Sequence, residues 1–440
     1  MTTVLPRTAA SGLSVDGRSV AAPPASPFPG SPAIGLRCKE CGATQPLCAQ
    51  HACPECFAAL EVVYDDELLA RWTRADVEAG PADMWRYAGW LPAGQDPATR
   101  VSLGAGLTPL RRADRLAVAL GLTGGLWVKD DSANPTHSFK DRVVSVALSA
   151  ARAFGYTTVA CASTGNLAQS VAAHAAAAGL RSVVLVPSDL EDGKTVSTGA
   201  YGGALVAVDG SYDDVNRLCS QIADEQDWAF VNVNVRPFYA EGSKTVGFEV
   251  AEQLGWRLPQ QVVIPVASGS LLTKVHKAWG ELGRLGEVEA TPYRVFGAQA
   301  DGCSPVARAF SSGADDITPV RPSTIAKSLA IGNPADGRYA VQVARSTGGA
   351  VAAVSDEEVV AGIRLLAATE GVLAETAGGV TVACLRRLLA EGALDPAAET
   401  VLLNTGDGLK TLDALLPSHA PTATIRPTLS AFEAAGIAGA

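Results

Sequence analysis

The sequence predicts an α/β protein with two open parallel-sheet domains, preceded by a small metal-binding ribbon. Three observations carry this. Short apolar runs alternate with helix-length segments from Thr157 to Asn232, and again from Gln261 to Asn404. Three small-residue turns, Ser163–Asn166, Ala267–Leu271 and Thr405–Gly408, each follow such a run and open a helix. Cys38-Lys39-Glu40-Cys41 and Cys53-Pro54-Glu55-Cys56 form a C-x2-C-x11-C-x2-C pattern.

The bulk composition bounds the rest. A chain of 440 residues with 48% hydrophobic and 18% charged side chains can bury a large interior and is expected to divide into domains. A net charge of -10 argues against a nucleic-acid partner. No apolar run approaches the ~20 residues of a membrane span, and the N-terminus has no compact apolar stretch of the secretory kind. The cytoplasm, where thiols stay reduced, is the expected compartment. Residues 1–35, rich in Ala, Pro, Ser and Gly, read as a flexible tail. The ribbon occupies 36–65. The large domain combines 66–144 with 241–416, the small mobile domain spans 145–240, and 417–440 is a C-terminal tail.

In the ribbon, each Cys-x-x-Cys knuckle can aim two thiolates at one point. Cys38, Cys41, Cys53 and Cys56 together would close a tetrahedral, structural zinc site. Cys48 and His51, between the knuckles, are competing ligands. Leu107–Leu110 is a turn into a helix at 112–120, and Gly125–Lys129 is a short strand. It leads to Asn134-Pro135-Thr136-His137-Ser138-Phe139-Lys140-Asp141-Arg142. Pro135 keeps Asn134 extended. Ser138 and Asp141 read as a capping box, which puts Lys140 in the first turn of the helix through Leu148. The positive end of the helix dipole opposes an ammonium there and favours the neutral amine, the form a Schiff base needs.

Strands follow at Thr157–Ala162, Arg181–Pro187, Ala204–Val208, Ala229–Asn232, Gln261–Val266, Tyr293–Gly297, near 350–354 and 371–375, and at Glu399–Asn404. Helices are expected at Leu167–Ala178, up to Tyr201, 212–226, Gly242–Leu254, 271–284, 337–346, 356–369 and 378–391, with 304–335 irregular. The three small-residue turns lie at carboxyl ends of parallel strands, where open α/β sheets bind ligands. Helix N-termini there attract anions. A cofactor with a phosphate, a carboxylate-bearing substrate and a ring nitrogen would use all three. No Walker-A or G-x-G-x-x-G pattern supports nucleotide chemistry. The five histidines fall in no zinc-hydrolase spacing, and only His137 lies next to the motif lysine.

Ser138-Phe139-Lys140-Asp141-Arg142 resembles the lysine motif of the threonine synthase family. The resemblance extends over roughly 100–415 through Ser163–Asn166, Glu241-Gly242-Ser243-Lys244-Thr245, Ala267–Leu271, Ser328–Pro334, Thr376–Thr381 and Thr405–Lys410. It implies pyridoxal phosphate (PLP) fold type II, of the tryptophan synthase β kind, and an enzyme of the lyase class. Lys140 would hold the cofactor as a Schiff base, and Asn166 would bond its phenolic oxygen. Ala267, Ser268, Gly269, Ser270 and Leu271 would cradle its phosphate, and Thr405 would meet the pyridine nitrogen. Ser163, Thr164 and Gly165 would take the substrate carboxylate. The implied substrate is O-phospho-L-homoserine, with Lys244 and Lys327 as candidates for its phosphate and Arg236 and Arg142 behind them. A homodimer is expected. Two features depart from many family members. The phosphate loop is Ala-Ser-Gly-Ser rather than Gly-Asn-x-Gly-Asn, and Asp407 places a negative charge in the last motif. Alternatives are a threonine dehydratase, a cysteate-synthase-like β-replacement enzyme, a specialised paralogue, and, from another class, an interaction protein on an inactive scaffold.

Overall fold

The computed structural model describes residues 26–163, 165–190, 192–416 and 421–437. Strands β1 (Ala33–Cys38), β2 (Thr44–Gln45) and β3 (Leu60–Tyr64) form an antiparallel ribbon in the order β2-β1-β3. Then come β4 (Leu110–Arg112), β5 (Leu126–Asp130), β6 (Thr158–Ala162), β7 (Arg181–Pro187), β8 (Ala204–Val208), β9 (Ala229–Phe230), β10 (Gln261–Pro265), β11 (Arg294–Ala300), β12 (Val351–Val354) and β13 (Thr400–Asn404). They make a six-stranded sheet, β12-β11-β10-β13-β5-β4, and a four-stranded sheet, β8-β7-β6-β9. All pairings in both are parallel except β4 on β5.

The continuous apolar strands of the sequence are those buried on both faces. In β10, Val262 and Ile264 enter one core, with helices Lys244–Gln253, Ser270–Arg284 and Gly337–Ser346, while Val263 enters the opposite core. That second core holds helices Asp114–Leu120, Asp356–Glu370 and Thr376–Ala390. In β6, Val159 and Cys161 pack toward helices Lys140–Ala153 and Asn166–Ala178, and Ala160 and Ala162 toward helix Tyr212–Glu225. Gly179, in the left-handed region at φ 67°, ends the alanine-rich helix as expected. The helix Lys140–Ala153 runs unbroken across position 145. Its start reaches the larger sheet while its body packs on the smaller one. No helix among the described residues is long and apolar enough to cross a membrane.

Several local expectations are corrected. Residues 1–25 of the N-terminal tail lie outside the described residues. Phe28 is buried against Phe154 and Phe238, and Ala33 opens β1, so 26–35 is part of the fold. The irregular stretch 304–335 contains the helix Pro305–Ser312, started by Pro305 at its first turn. The segment 371–375 is not a strand. It meets the Thr405 turn through a single bridge, Ala374 to Asp407. In the C-terminal tail, 417–420 and 438–440 lie outside the described residues, and Leu429–Ala434 is a short exposed helix.

Candidate active site

Lys140 is the first residue of its helix. The loop before it is stitched to the end of β13: the Phe139 N–H donates to the Thr405 carbonyl at 3.0 Å, and Ser138 bridges Gly406. The capping box is not formed. The helix has no side-chain cap, and Asp141 instead accepts from the Thr136 N–H and hydroxyl, each at 2.6 Å, and from Ser170 Oγ. That buried carboxylate braces the loop rather than the helix end. Lys140 Nζ donates to Tyr239 Oη at 3.0 Å and lies 4.6 Å from the centroid of the Phe139 ring. Burial lowers its pKa to about 8, and the carboxylate of Glu375 opposes the shift. Lys140 therefore gives up its proton more readily than an exposed lysine, the neutral amine becoming the main form only above about pH 8.

Opposite it, β10 ends at Pro265 and Ala267–Leu271 opens the helix Ser270–Arg284. Gly269 has φ +91°, and a Cβ there would sit 2.6 Å from the Asp336 carbonyl oxygen. Only glycine allows the turn to close this tightly. The first turn of a helix has N–H groups with no carbonyl partner inside the helix, and Ser270 and Leu271 of this first turn line the pocket. Among the described residues, the buried hydroxyls of Ser270 and Ser328 have no hydrogen-bond partner. Both residues line the same pocket as Lys140. Polar donors left unsatisfied at a helix N-terminus fit a phosphate. The residues present thus fit the phosphate and the aldehyde of PLP.

The third turn brings Thr405 into this pocket, and Asn166 arrives from the smaller sheet. The Asn166 amide donates to both oxygens of Glu375, at 3.0 and 2.9 Å, and its Oδ1 accepts from Lys410 Nζ at 3.2 Å. Burial lowers the Lys410 pKa to about 8. Glu375 is a site residue that the motifs miss. It sits at 1% exposure against Gly406, where a Cβ would come within 2.5 Å of its Cδ. Its one signal in the sequence is an acidic residue immediately before the small-residue helix start at Thr376. Ser163 lines an adjoining cavity with Lys140, Asn166 and Tyr239, and its Oγ accepts from Gly165 N and Ala168 N. Thr164 lies outside the described residues. Gly165, at φ +124°, lets the side chain of Lys194 pass directly over the turn.

The expected phosphate contacts separate. Lys244 does not reach the pocket. It is fully buried, donating to the Trp90 carbonyl and to Glu281 at 2.8 Å, and pairing with Glu241 at 3.0 Å. Its neighbour Ser243 lines the pocket, and the helix turn points Lys244 the other way. Arg142 is likewise buried, held by Asp131 and Glu249. Lys327 is at the surface, 3.3 Å from Asp189, while its neighbour Ser328 lines both cavities. Arg236 does line the second cavity, beside Asn216, Asn232 and Asn333. Asp407 turns away from the site: its carboxylate caps the Leu409 N–H and borders a different surface hollow.

In the ribbon, the Sγ atoms of Cys38, Cys41, Cys53 and Cys56 all lie within 4.8 Å of one another. Cys38 and Cys56 are 3.4 Å apart, and Cys41 and Cys53 3.6 Å. A tetrahedral zinc with ~2.3 Å Zn–S bonds requires edges of about 3.8 Å. The four cysteines therefore fit zinc as they stand. Cys48 and His51 are outside the cluster.

A buried pocket lysine with a lowered pKa, beside an anion cradle at the carboxyl ends of parallel strands, is the arrangement that an enzyme working through a phosphorylated aldehyde cofactor requires. The family model for "Pyridoxal-phosphate dependent enzyme" matches residues 101–406, and the chain belongs to that family. It is 37% identical over 383 residues to the threonine synthase of Methanocaldococcus jannaschii, covering 86% of this chain and 94% of that protein. It is 35% identical to the threonine synthase of Methanosarcina acetivorans, covering 85% and 92%. Among solved structures, diaminopropionate ammonia lyase from Escherichia coli superposes with a TM-score of 0.62 at 20% identity, covering 79% of this chain and 94% of that one. The processed form of threonine deaminase isoform 2 from Solanum lycopersicum gives 0.59 at 18% identity, covering 86% and 99%. The fold is the type II PLP fold that the motifs implied.

Proposed function

We propose that this protein is a threonine synthase, converting O-phospho-L-homoserine and water to L-threonine and phosphate. The observation that carries the reading is the 37% identity maintained over nearly the full length of a threonine synthase. When bound, PLP supplies an electron sink for charge developing at the substrate's carbons. Lys140, freed by the incoming substrate, moves protons at Cα and Cβ. Ser163 and the N–H groups of its turn bind the carboxylate. Arg236 is the cation suited to the γ-phosphate, because it lines the cavity that Lys140 also lines. Closure of the 145–240 unit over the site would exclude bulk water during the reaction.

The test is kcat/KM for O-phosphohomoserine, O-acetylhomoserine, O-phosphoserine and threonine. Phosphohomoserine should lead. Arg236→Ala should cost about 2–4 kcal/mol, roughly thirty- to a thousand-fold in kcat/KM, and for phosphohomoserine more than for threonine. A wild-type preference for phosphoserine or threonine would replace this reading with a β-replacement enzyme or a dehydratase.

The ribbon zinc belongs to the same proposal. Four cysteine ligands leave no open position, so the metal is structural. Metal analysis should give about one zinc per chain. Stoichiometric zinc surviving joint replacement of Cys38 and Cys53 by serine would exclude these ligands.

A further inference from the structure

The ribbon has no part in the chemistry above, yet its first knuckle is docked on the phosphate cradle. Lys39 lies between Cys38 and Cys41, and its Nζ donates to Asp336 Oδ1 at 3.2 Å. The same Nζ sits 3.9 Å from the centroid of the Tyr339 ring. The other oxygen of Asp336 accepts from Arg236, the guanidinium that lines the substrate cavity. The backbone of Asp336 holds the cradle itself. Its N–H donates to the Ser268 carbonyl at 2.8 Å, and its carbonyl presses on Gly269. Asp336 is only 4% exposed, so its carboxylate needs both cations. Burial alone would raise its pKa, but Arg236 and Lys39 outweigh that and hold it below the usual range.

We infer that Lys39 and Asp336 are positioning residues through which the cysteine ribbon braces both the cofactor's phosphate cradle and Arg236. This rests on the reading of Ala267–Leu271 as the PLP phosphate loop and of Arg236 as the substrate's anion contact. The physical logic is that of supporting shells around any bound group. A donor that is not itself held drifts from its productive position, and affinity falls before the chemistry does. Without Lys39, Asp336 keeps one cation instead of two and loses its own tie to the ribbon, while the Glu40 contacts to Arg338 and Tyr339 further along remain. Arg236 loses a fixed partner in the same step. A ribbon appended for stability alone would leave the site indifferent to Lys39.

The experiment compares full-length wild type, Lys39→Met, Lys39→Arg and Arg338→Ala. Arg338 pairs with Glu40 at 3.6 Å, a contact between knuckle and helix that bypasses Asp336. PLP affinity is measured on cofactor-depleted protein by titrating the visible absorbance, and zinc content is measured on each variant. Lys39→Met should retain zinc and bind PLP about ten-fold more weakly, by analogy with supporting residues elsewhere. It should raise KM for phosphohomoserine while kcat moves less than about three-fold. Lys39→Arg should restore both, and Arg338→Ala should change neither. Unchanged PLP affinity in Lys39→Met overturns the inference, and so does an equal loss in Arg338→Ala. The affinity comparison needs no substrate. If wild type fails on phosphohomoserine, the functional proposal falls while this inference is still decided by PLP binding.

Discussion

Replacing Lys140 by alanine is expected to lower kcat by about a thousand-fold or more, with loss of the bound cofactor's visible absorbance. Both effects come from one atom. Nζ sits in the pocket wall between Tyr239 and the ring of Phe139, with Thr405 and the Ser268–Leu271 cradle around it. Among the described residues, no other lysine lines that pocket: Lys410 is tied to Asn166, and Lys244 is buried elsewhere. The pH dependence follows from the lowered pKa. Cofactor-depleted protein should take up PLP faster as pH rises through about 8, because the neutral amine is the reactive form. Glu375 attracts the ammonium and so raises this pKa against the larger effect of burial. Glu375→Gln should therefore move the rise to lower pH. A Lys140→Ala protein that turned over at wild-type rate would remove the lysine from the mechanism.

The largest stability effect is expected at Glu249. Its carboxylate is fully buried and receives Arg142, Lys129 at 2.7 Å, and the Leu107 N–H at 2.7 Å. Leu107 has a positive φ of 47°, so this bond also holds a backbone conformation that leucine rarely adopts. Burial alone would raise the Glu249 pKa, but Arg142 and Lys129 outweigh it and hold it at about 2. A depressed carboxylate stabilises the fold above its unfolded pKa, and that contribution disappears as pH falls through the folded value. The window here runs from about pH 4.5 down to about 2. Glu249→Ala takes the ion-pair partner from buried Lys129 and leaves buried Arg142 with Asp131 alone, and should cost about 3–5 kcal/mol in urea unfolding. The variant should also lose the share of acid dependence that Glu249 contributes in that window. A cost below about 1 kcal/mol would mean that water or rearrangement satisfies Arg142 and Lys129.

The parts of the site that are legible in the sequence are those set by backbone conformation. A glycine-containing turn between an apolar run and a helix points to an anion site, and each of the three turns does join a strand end to a helical segment. The cysteine spacing is legible because a knuckle is a local structure. What the sequence hides depends on distant partners. Asp141 looks like a cap for Ser138, but Thr136 and Ser170 compete for its oxygens more effectively. Lys244 lies within a motif, but Glu241, three residues earlier at the end of the preceding helix, and Glu281 draw it inward. Glu375 depends on Asn166, which is 209 residues away, and no local pattern encodes that pairing.

The position of β13 has a consequence for how the chain comes together during synthesis. It pairs with β10 on one side and β5 on the other, in register from Thr400 to Leu126 and Gln261. Until it emerges, the larger sheet exists only as two fragments, β12-β11-β10 and β5-β4. Each fragment exposes an unpaired apolar edge that would be central in the finished sheet. The loop before Lys140 is also untethered at this stage, because Phe139 bonds the carbonyl of Thr405. Nearly the whole polypeptide must therefore leave the ribosome before the site is complete, because the Thr405 turn comes last. A chain cut short before Thr400 would keep its ribbon cysteines and its lysine but have sticky edges where its active site should be.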